Sequence, residues 1–261
     1  VHPVTNTIMR QGVPAVVNPF DLISLEEALR IKEAVGARVT VLSMGPKMAV
    51  DALRKCVSYG ADDAILITDR VFAGSDTLAT SYALASAIRT IGAERPVDMV
   101  FCGKQTIDGD TAQVGPGVAR RLGLQQLTYV SRIERLDPDA REIVVHRRAE
   151  GGVQVLKTKL PCLVTMMEGA NTIRFADMDA MFRAARYEVI EWDHKAAGIA
   201  EVARCGLKGS PTVVKKVFAP PPRANKAEVV DAAGKPAREA VDALLSKLFA
   251  KHPELQEEIG R

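Results

Sequence analysis

The chain of 261 residues is 47% hydrophobic and 26% charged, the composition of a folded domain of generous size with room for an appendage, and not of a disordered, collagenous or coiled-coil chain. Its 35 basic and 32 acidic residues leave a formal charge of +3, and aromatics make up only 5%, which excludes an electrostatic footprint or stacking platform for nucleic acid. No apolar run reaches the roughly 20 residues of a membrane span and no basic-then-apolar leader opens the sequence, so a soluble, cytoplasmic chain is expected.

Val16-Val-Asn-Pro-Phe20 leads into Ser24-Leu-Glu-Glu27. That spacing is a capping box, with Leu25, Ala28, Leu29, Lys32 and Val35 following at helical period and Gly36 as the stop. Arg38 to Ser43 reads as a β-branched strand. Gly45-Pro46 opens a helix with Val50, Leu53 and Val57 on one face, ending at Gly60. Ala64 to Thr68 is a buried strand. Asp76 to Ile91 is a helix with Leu78, Tyr82, Ala85 and Ile88 inward, and Val97 to Cys102 a further strand. A loop from Gly103 to Asp110 precedes a helix over Thr111–Leu122, with Pro116 tolerated only in its first turn.

From Gln125 the pattern changes. Leu127–Leu136, Glu142–Arg148 and Val153–Lys159 alternate around Asp-Pro-Asp and Glu-Gly-Gly turns, an antiparallel meander. Pro161–Thr165 is one more buried strand, Phe175–Arg186 a helix and Tyr187–Trp192 a terminal strand. Ala219–Arg223 is a stiff polyproline-like linker, and Pro236–Phe249 an amphipathic helix that needs a surface.

Strand and helix in this rhythm predict an α/β fold: a mostly parallel sheet with helices on both faces, an antiparallel strand extension and a C-terminal arm. Ligands in such folds lie beyond the carboxyl ends of the strands. That singles out the loops Ser43–Pro46, Thr68–Ser75 and Gly103–Gly115.

Negative findings prune the chemistry. The sequence holds no GxSxG elbow, no GxxxxGK[ST] loop and no GxGxxG turn. The cysteines (Cys56, Cys102, Cys162, Cys205) and histidines are scattered without metal-ligand spacing and read as core or surface residues. Arg147-Arg148 ahead of Glu150 reads as a surface ion pair.

The segment from Cys102 to Pro116 stands out: a strand end, two glycines and a helix start, whose N–H groups and dipole suit a phosphate or pyrophosphate. Thr111 and Gln113 add donors. Asp108 and Asp110 suit ribose hydroxyls or adenine amino groups, or cap the helix; as a short carboxylate pair they are weak evidence for magnesium. The alternative is an N-capped helix after a polar loop. Asn18-Pro-Phe-Asp21 is a second candidate, its Asn held extended with a free amide for a base or ribose edge; as a plain helix lead-in, Phe20 would be a hydrophobic staple.

Asn18-Pro-Phe, Ser43-Met-Gly-Pro46, Gly60-Ala-Asp-Asp-Ala, Gly103-Lys-Gln-Thr-Ile-Asp-Gly-Asp and Val145–Thr165 occur in this order. Together they resemble the β subunit of electron transfer flavoproteins over Val1–Trp192. The resemblance implies a heterodimer with an α subunit, and an adenine-nucleotide-binding domain over 1–192 with an arm over 193–261 wrapping the partner. It places the nucleotide on Asn18, Pro19, Phe20, Asp21, Met44 and the stretch Gly103, Lys104, Gln105, Thr106, Ile107, Asp108, Gly109, Asp110, Thr111, Ala112, Gln113 and Val114. Family chains open with a strand and a Val-Lys-x-Val-Pro-Asp-like segment, and Val1 stands just after that point, so no contact from it is named.

Where the family's simple, AMP-binding carriers have further carboxylate and polar residues, this chain has Gly109, Thr111 and Ala112. In this it is similar to the flavin-bifurcating, nitrogen-fixation-linked branch. The implied cofactor is FAD, with NADH as electron donor, ferredoxin or flavodoxin as low-potential acceptor, and no catalytic side chain. The alternative is AMP in a carrier that serves acyl-CoA dehydrogenases. The resemblance also implies that a redox partner docks on Arg174–Arg186, with Met178 as anchor. A nucleotide-hydrolysing enzyme on a similar fold is a further alternative, but it needs a phosphate loop that is absent.

Overall fold

Local sequence decides where the helices start and stop. The computed structural model describes residues 14–215, 227 and 229–259. Helix α1 (Pro19–Val35) begins at a proline whose fixed φ suits a first helical position, and ends at Gly36 in the left-handed region (φ 71°). The Ser24–Glu27 capping box is therefore corrected: both residues lie inside the helix, and the Ser24 hydroxyl donates to the Phe20 carbonyl. β1 (Thr40–Met44), α2 (Val50–Tyr59) and β2 (Asp63–Ile67) follow.

Helix α3 (Thr77–Glu94) is capped by Asp76, whose carboxylate accepts the N–H groups of Leu78 and Ala79. Its buried stripe runs through Ala79, Tyr82, Ala83 and Ala87, which leaves Leu78 half exposed rather than inward. β3 (Met99–Gly103) then leads through the loop to α4 (Val114–Leu122). That helix starts later than the expected Thr111 because Asp110 and Ala112 take left-handed backbone (φ 53° and 55°) and break the helical run.

The meander forms as expected: β4 (Gln125–Asp137), β5 (Glu142–Ala149) and β6 (Gly152–Lys159), followed by β7 (Cys162–Met166). Helix α5 (Met178–Ala185) is capped by Asp177, and β8 is Ile190–Trp192.

The strands divide into two sheets rather than one. β1, β2 and β8 form a parallel sheet, in that order. The second sheet runs β3-β7-β4-β5-β6, parallel through β3, β7 and β4 and antiparallel beyond. All five residues of β7 are buried, which matches its continuous apolar run. Helix α1 spans the pair: Ile23 joins the core over β4, β5 and β7, while Leu25 and Leu29 pack with Cys56, Ala61 and Val41. On α3, Ala83 and Ala87 pack against Ile67, and Leu84 reaches the cluster around Val100 and Cys102.

Residues 193–212 fold back on the α/β body. Gly206 donates to the Ser75 hydroxyl, Leu207 to the Ala73 carbonyl, and Thr212 to Asp76 through both its N–H and its hydroxyl. The described residues beyond Lys215 belong to a separate compact unit, described by itself. In it α6 (Ala237–Lys251) carries half-exposed Val241 and Leu244, and α7 (Pro253–Ile259) follows a break at His252 that the sequence reading lacked. The proline linker Ala219–Arg223 lies outside the described residues. Among the described residues no helix is long and apolar enough to cross a membrane.

Candidate functional site

The candidate site is built where the start of α1 meets the end of β3. Gly103 permits the approach: a Cβ there would stand 2.5 Å from the Phe20 Cβ and 2.6 Å from the Phe20 carbonyl carbon. At that closeness the Gly103 N–H donates to the Asp21 carboxylate at 2.6 Å. Burial pushes the Asp21 carboxyl above its ordinary value, only partly opposed by the bonds from Gly103 and Asn18.

The Asn18 amide nitrogen is not the free donor expected for a base or ribose edge. Its nitrogen donates to Asp21 Oδ2 (2.8 Å) and to the Gln105 carbonyl (2.9 Å), stitching the turn to the loop. Its Oδ1 is buried and has no partner. Such an acceptor is costly unless a donor reaches it.

The rest of the loop is held by short-range bonds. The Lys104 N–H donates to the Met166 carbonyl, and its ammonium pairs with Glu168 at 2.9 Å while lying 4.7 Å over the Phe20 ring. The Gln105 side chain bonds Asp110. The Thr106 hydroxyl accepts the Gly109 N–H, and the Thr106 carbonyl that of Asp110. Ile107, Asp108, Gly109, Asp110 and Thr111 are exposed. Gln113 flanks α4 without capping it, because its carbonyl oxygen Oε1 accepts from the Thr77 hydroxyl at 2.7 Å. The first turn of α4, from Val114, therefore has no side-chain cap, and the helix dipole faces the loop.

Asn18, Phe20, Asp21, Gly103, Lys104 and Gln105 are thus brought together, with Pro19 exposed beside them. Met44 lies at the carboxyl end of β1, where it packs with Ile67 and Phe72 in a different core cluster. Of the three loops chosen by topology, Thr68–Ser75 is covered at its Ala73–Ser75 end by the returning chain: a Cβ on Gly74 would stand 2.6 Å from Leu207.

Sequence reasoning missed Thr77 and misread Arg147. Arg147 makes no ion pair among the described residues; its Nη2 donates to the Thr128 hydroxyl at 3.2 Å and its Nε is buried without a partner. It lies on the sheet row Gly103–Met166–Val130–Arg147, three strands and about 14 Å from Gly103. The only available signal was an arginine doublet inside an alternating strand. Neighbouring Tyr129 takes left-handed backbone (φ 56°), a conformation uncommon outside glycine.

A second cleft, of 830 Å³, opens beyond β1, β2 and β8 between Lys47, Asp69, Arg70 and Trp192. Asp69, Asp193 and His194 converge there. Their polar atoms are committed locally: His194 Nδ1 to Asp69 at 2.6 Å, and Asp193 to the Ala196 N–H.

The electron transfer flavoprotein domain family matches residues 5–197. The chain is 63% identical to Protein FixA of Azotobacter vinelandii and 60% identical to that of Rhizobium meliloti. Both matches span the whole of this chain, and 93% and 89% of the respective relatives. It is 42% identical to the electron transfer flavoprotein subunit beta of Clostridium acetobutylicum, across 97% of this chain and 93% of that protein.

Proposed function

The chain belongs to the electron transfer flavoprotein family as a β-type subunit of the nitrogen-fixation-linked branch, and from that premise we propose that it binds FAD and passes electrons from NADH to a high- and a low-potential acceptor. The observation that carries the cofactor reading is the pairing of an orphaned acceptor, Asn18 Oδ1, with the uncapped N-terminus of α4 at the two ends of one loop. An adenine amino group or ribose hydroxyl satisfies the first, and a phosphate the second. Arg147, whose Nε is buried without a partner and which makes no ion pair among the described residues, lies a dinucleotide's reach away. An AMP anchored at the loop would leave that guanidinium unused, which favours the longer ligand.

When bound, the flavin supplies the redox chemistry itself. The chain's residues bind and orient. Asp21 and Asn18 fix the loop on α1, Gly103 keeps the two backbones close, and the α4 dipole and Arg147 offset anionic charge. No side chain of the site is required to transfer a proton.

The partners follow from the same premise. An α subunit completes the carrier, with the C-terminal arm as its contact. A redox partner docks on the segment around α5, where Phe175, Met178, Met181 and Phe182 are 96%, 64%, 45% and 59% exposed while Ala184 holds the helix down. Adaptable thioethers beside aromatic rings suit a protein surface. The test is the visible spectrum of the purified heterodimer with flavin and AMP counted: two FAD per dimer support the proposal, and one FAD with one AMP assigns the chain a structural nucleotide and a non-bifurcating carrier role.

A further inference from the structure

Arg174 stands immediately before the exposed stripe Phe175–Phe182 and makes five hydrogen bonds to two carboxylates. Its Nε and Nη2 grip the Glu26 carboxylate at 2.8 and 3.1 Å, and its backbone N–H reaches the same carboxylate at 3.1 Å. Its Nη1 and Nη2 also bond Glu33. Glu26 is only 4% exposed and takes a further bond from Arg30. Three residues earlier, the Asn171 amide donates to the Ile23 carbonyl and to Glu27, both at 3.0 Å. Every one of these partners lies on α1. The start of α1, one to two turns before Glu26, carries Phe20 and Asp21 beside its cap Asn18, and these hold the loop after β3.

One rigid helix therefore bears the candidate cofactor loop at its start and the root of the exposed stripe along its length. A surface stripe could be rooted by apolar packing alone. Here a buried carboxylate is retained and met by a forked, bidentate guanidinium, an arrangement that fixes direction as well as distance. Burial raises the Glu26 carboxyl, yet the Arg174 bonds outweigh it and hold the group below its ordinary value.

We infer that Arg174 is a positioning residue for partner docking: it fixes the orientation of the docking stripe on the helix that also borders the candidate cofactor loop. A stripe that swings must be ordered when a partner docks, and that ordering costs affinity. The inference rests on the docking reading given above.

The test is amide hydrogen exchange on the heterodimer carrying R174Q, R174K or the exposed-site variant E33Q. In R174Q the amides of residues 175–182 should exchange at least about tenfold faster, the scale of lost hydrogen bonds to a charged group. Bound flavin and the amides of residues 18–21 and 103–105 should stay as in the parent protein. R174K should recover part of the protection, since an ammonium keeps the charge but not the fork. E33Q, which leaves the Glu26 grip intact, should give a smaller rise and covers the case of R174Q failing to fold. Unchanged exchange over 175–182, or a rise spread equally through α1, overturns the inference. The paired substitution M178A/F182A separates the two ideas: it leaves exchange at the Arg174 root unaltered, and its effect on the redox partner judges the docking reading alone.

Discussion

The Gly103 N–H and the Asp21 carboxylate meet at 2.6 Å across 82 positions of sequence, and this contact closes the loop against α1. Replacing the acceptor with a neutral isostere should loosen the cradle without emptying the core. D21N is expected to weaken adenine-nucleotide affinity by about tenfold to a hundredfold. Equilibrium dialysis with AMP and flavin retention on gel filtration measure it, and unchanged binding would detach Asp21 from the site.

Gly103 itself tolerates no side chain. A methyl at 2.5 Å from Phe20 must push α1 off β3, an overpacking cost of about 1–3 kcal/mol. For a body of this size that is a melting temperature lower by roughly 5 °C. Nucleotide retention should fall with it, because the same displacement breaks the Asp21 and Asn18 bonds.

Truncating the stripe should separate binding from chemistry. M178A/F182A is expected to raise the KM for the redox partner about tenfold, the scale of a hot-spot loss. kcat and the flavin spectrum should remain those of the parent. A parent-like KM assigns partner recognition to another surface.

The Glu26–Arg174 grip has a definite acid limit. The folded carboxyl lies below the ordinary 4.5, so its stabilising contribution is complete above that value and is lost as pH falls through the folded-state pKa. Thermal melts of the parent and E26Q should differ most near neutrality and converge as pH falls through the folded-state pKa, which lies below 4.5. A gap that persists in acid would show that shape, not charge, holds the pair.

The thiols should be inert in the native protein. Burial pushes Cys56 and Cys102 up to about 12, with the Asp21 charge adding to it, and burial alone lifts Cys162 to about 11. Burial also raises Cys205, against the opposing charge of Arg204. Iodoacetamide at mildly alkaline pH should leave all four unmodified until denaturant is added, as read by intact mass. Rapid native alkylation of Cys102 would mean that the loop opens.

Much of this was legible locally. The apolar runs of β2 and β7 announce strands covered on both faces, and the glycines around Lys104 announce a loop of unusual backbone. What escaped the sequence is long-range. Asn18 looks like a free reader until its amide is seen to bond a carbonyl 87 residues on. Glu26 looks like a solvated helix acid until Arg174, 148 residues later, is laid over it. The split into two sheets likewise depends on lateral neighbours, which no local period encodes. The start of α4 moved for a local reason instead: non-glycine residues at positive φ have no compositional marker.

Asp76 and Thr77 are consecutive, yet one side chain grips Thr212 on the way out of the body and the other bonds Gln113 at the mouth of the loop. A shift of this helix start would therefore disturb two distant tethers at once, the returning segment at Thr212 and the approach to α4 at Gln113. That double tether leaves the start of α3 less conformational latitude than a surface turn ordinarily has.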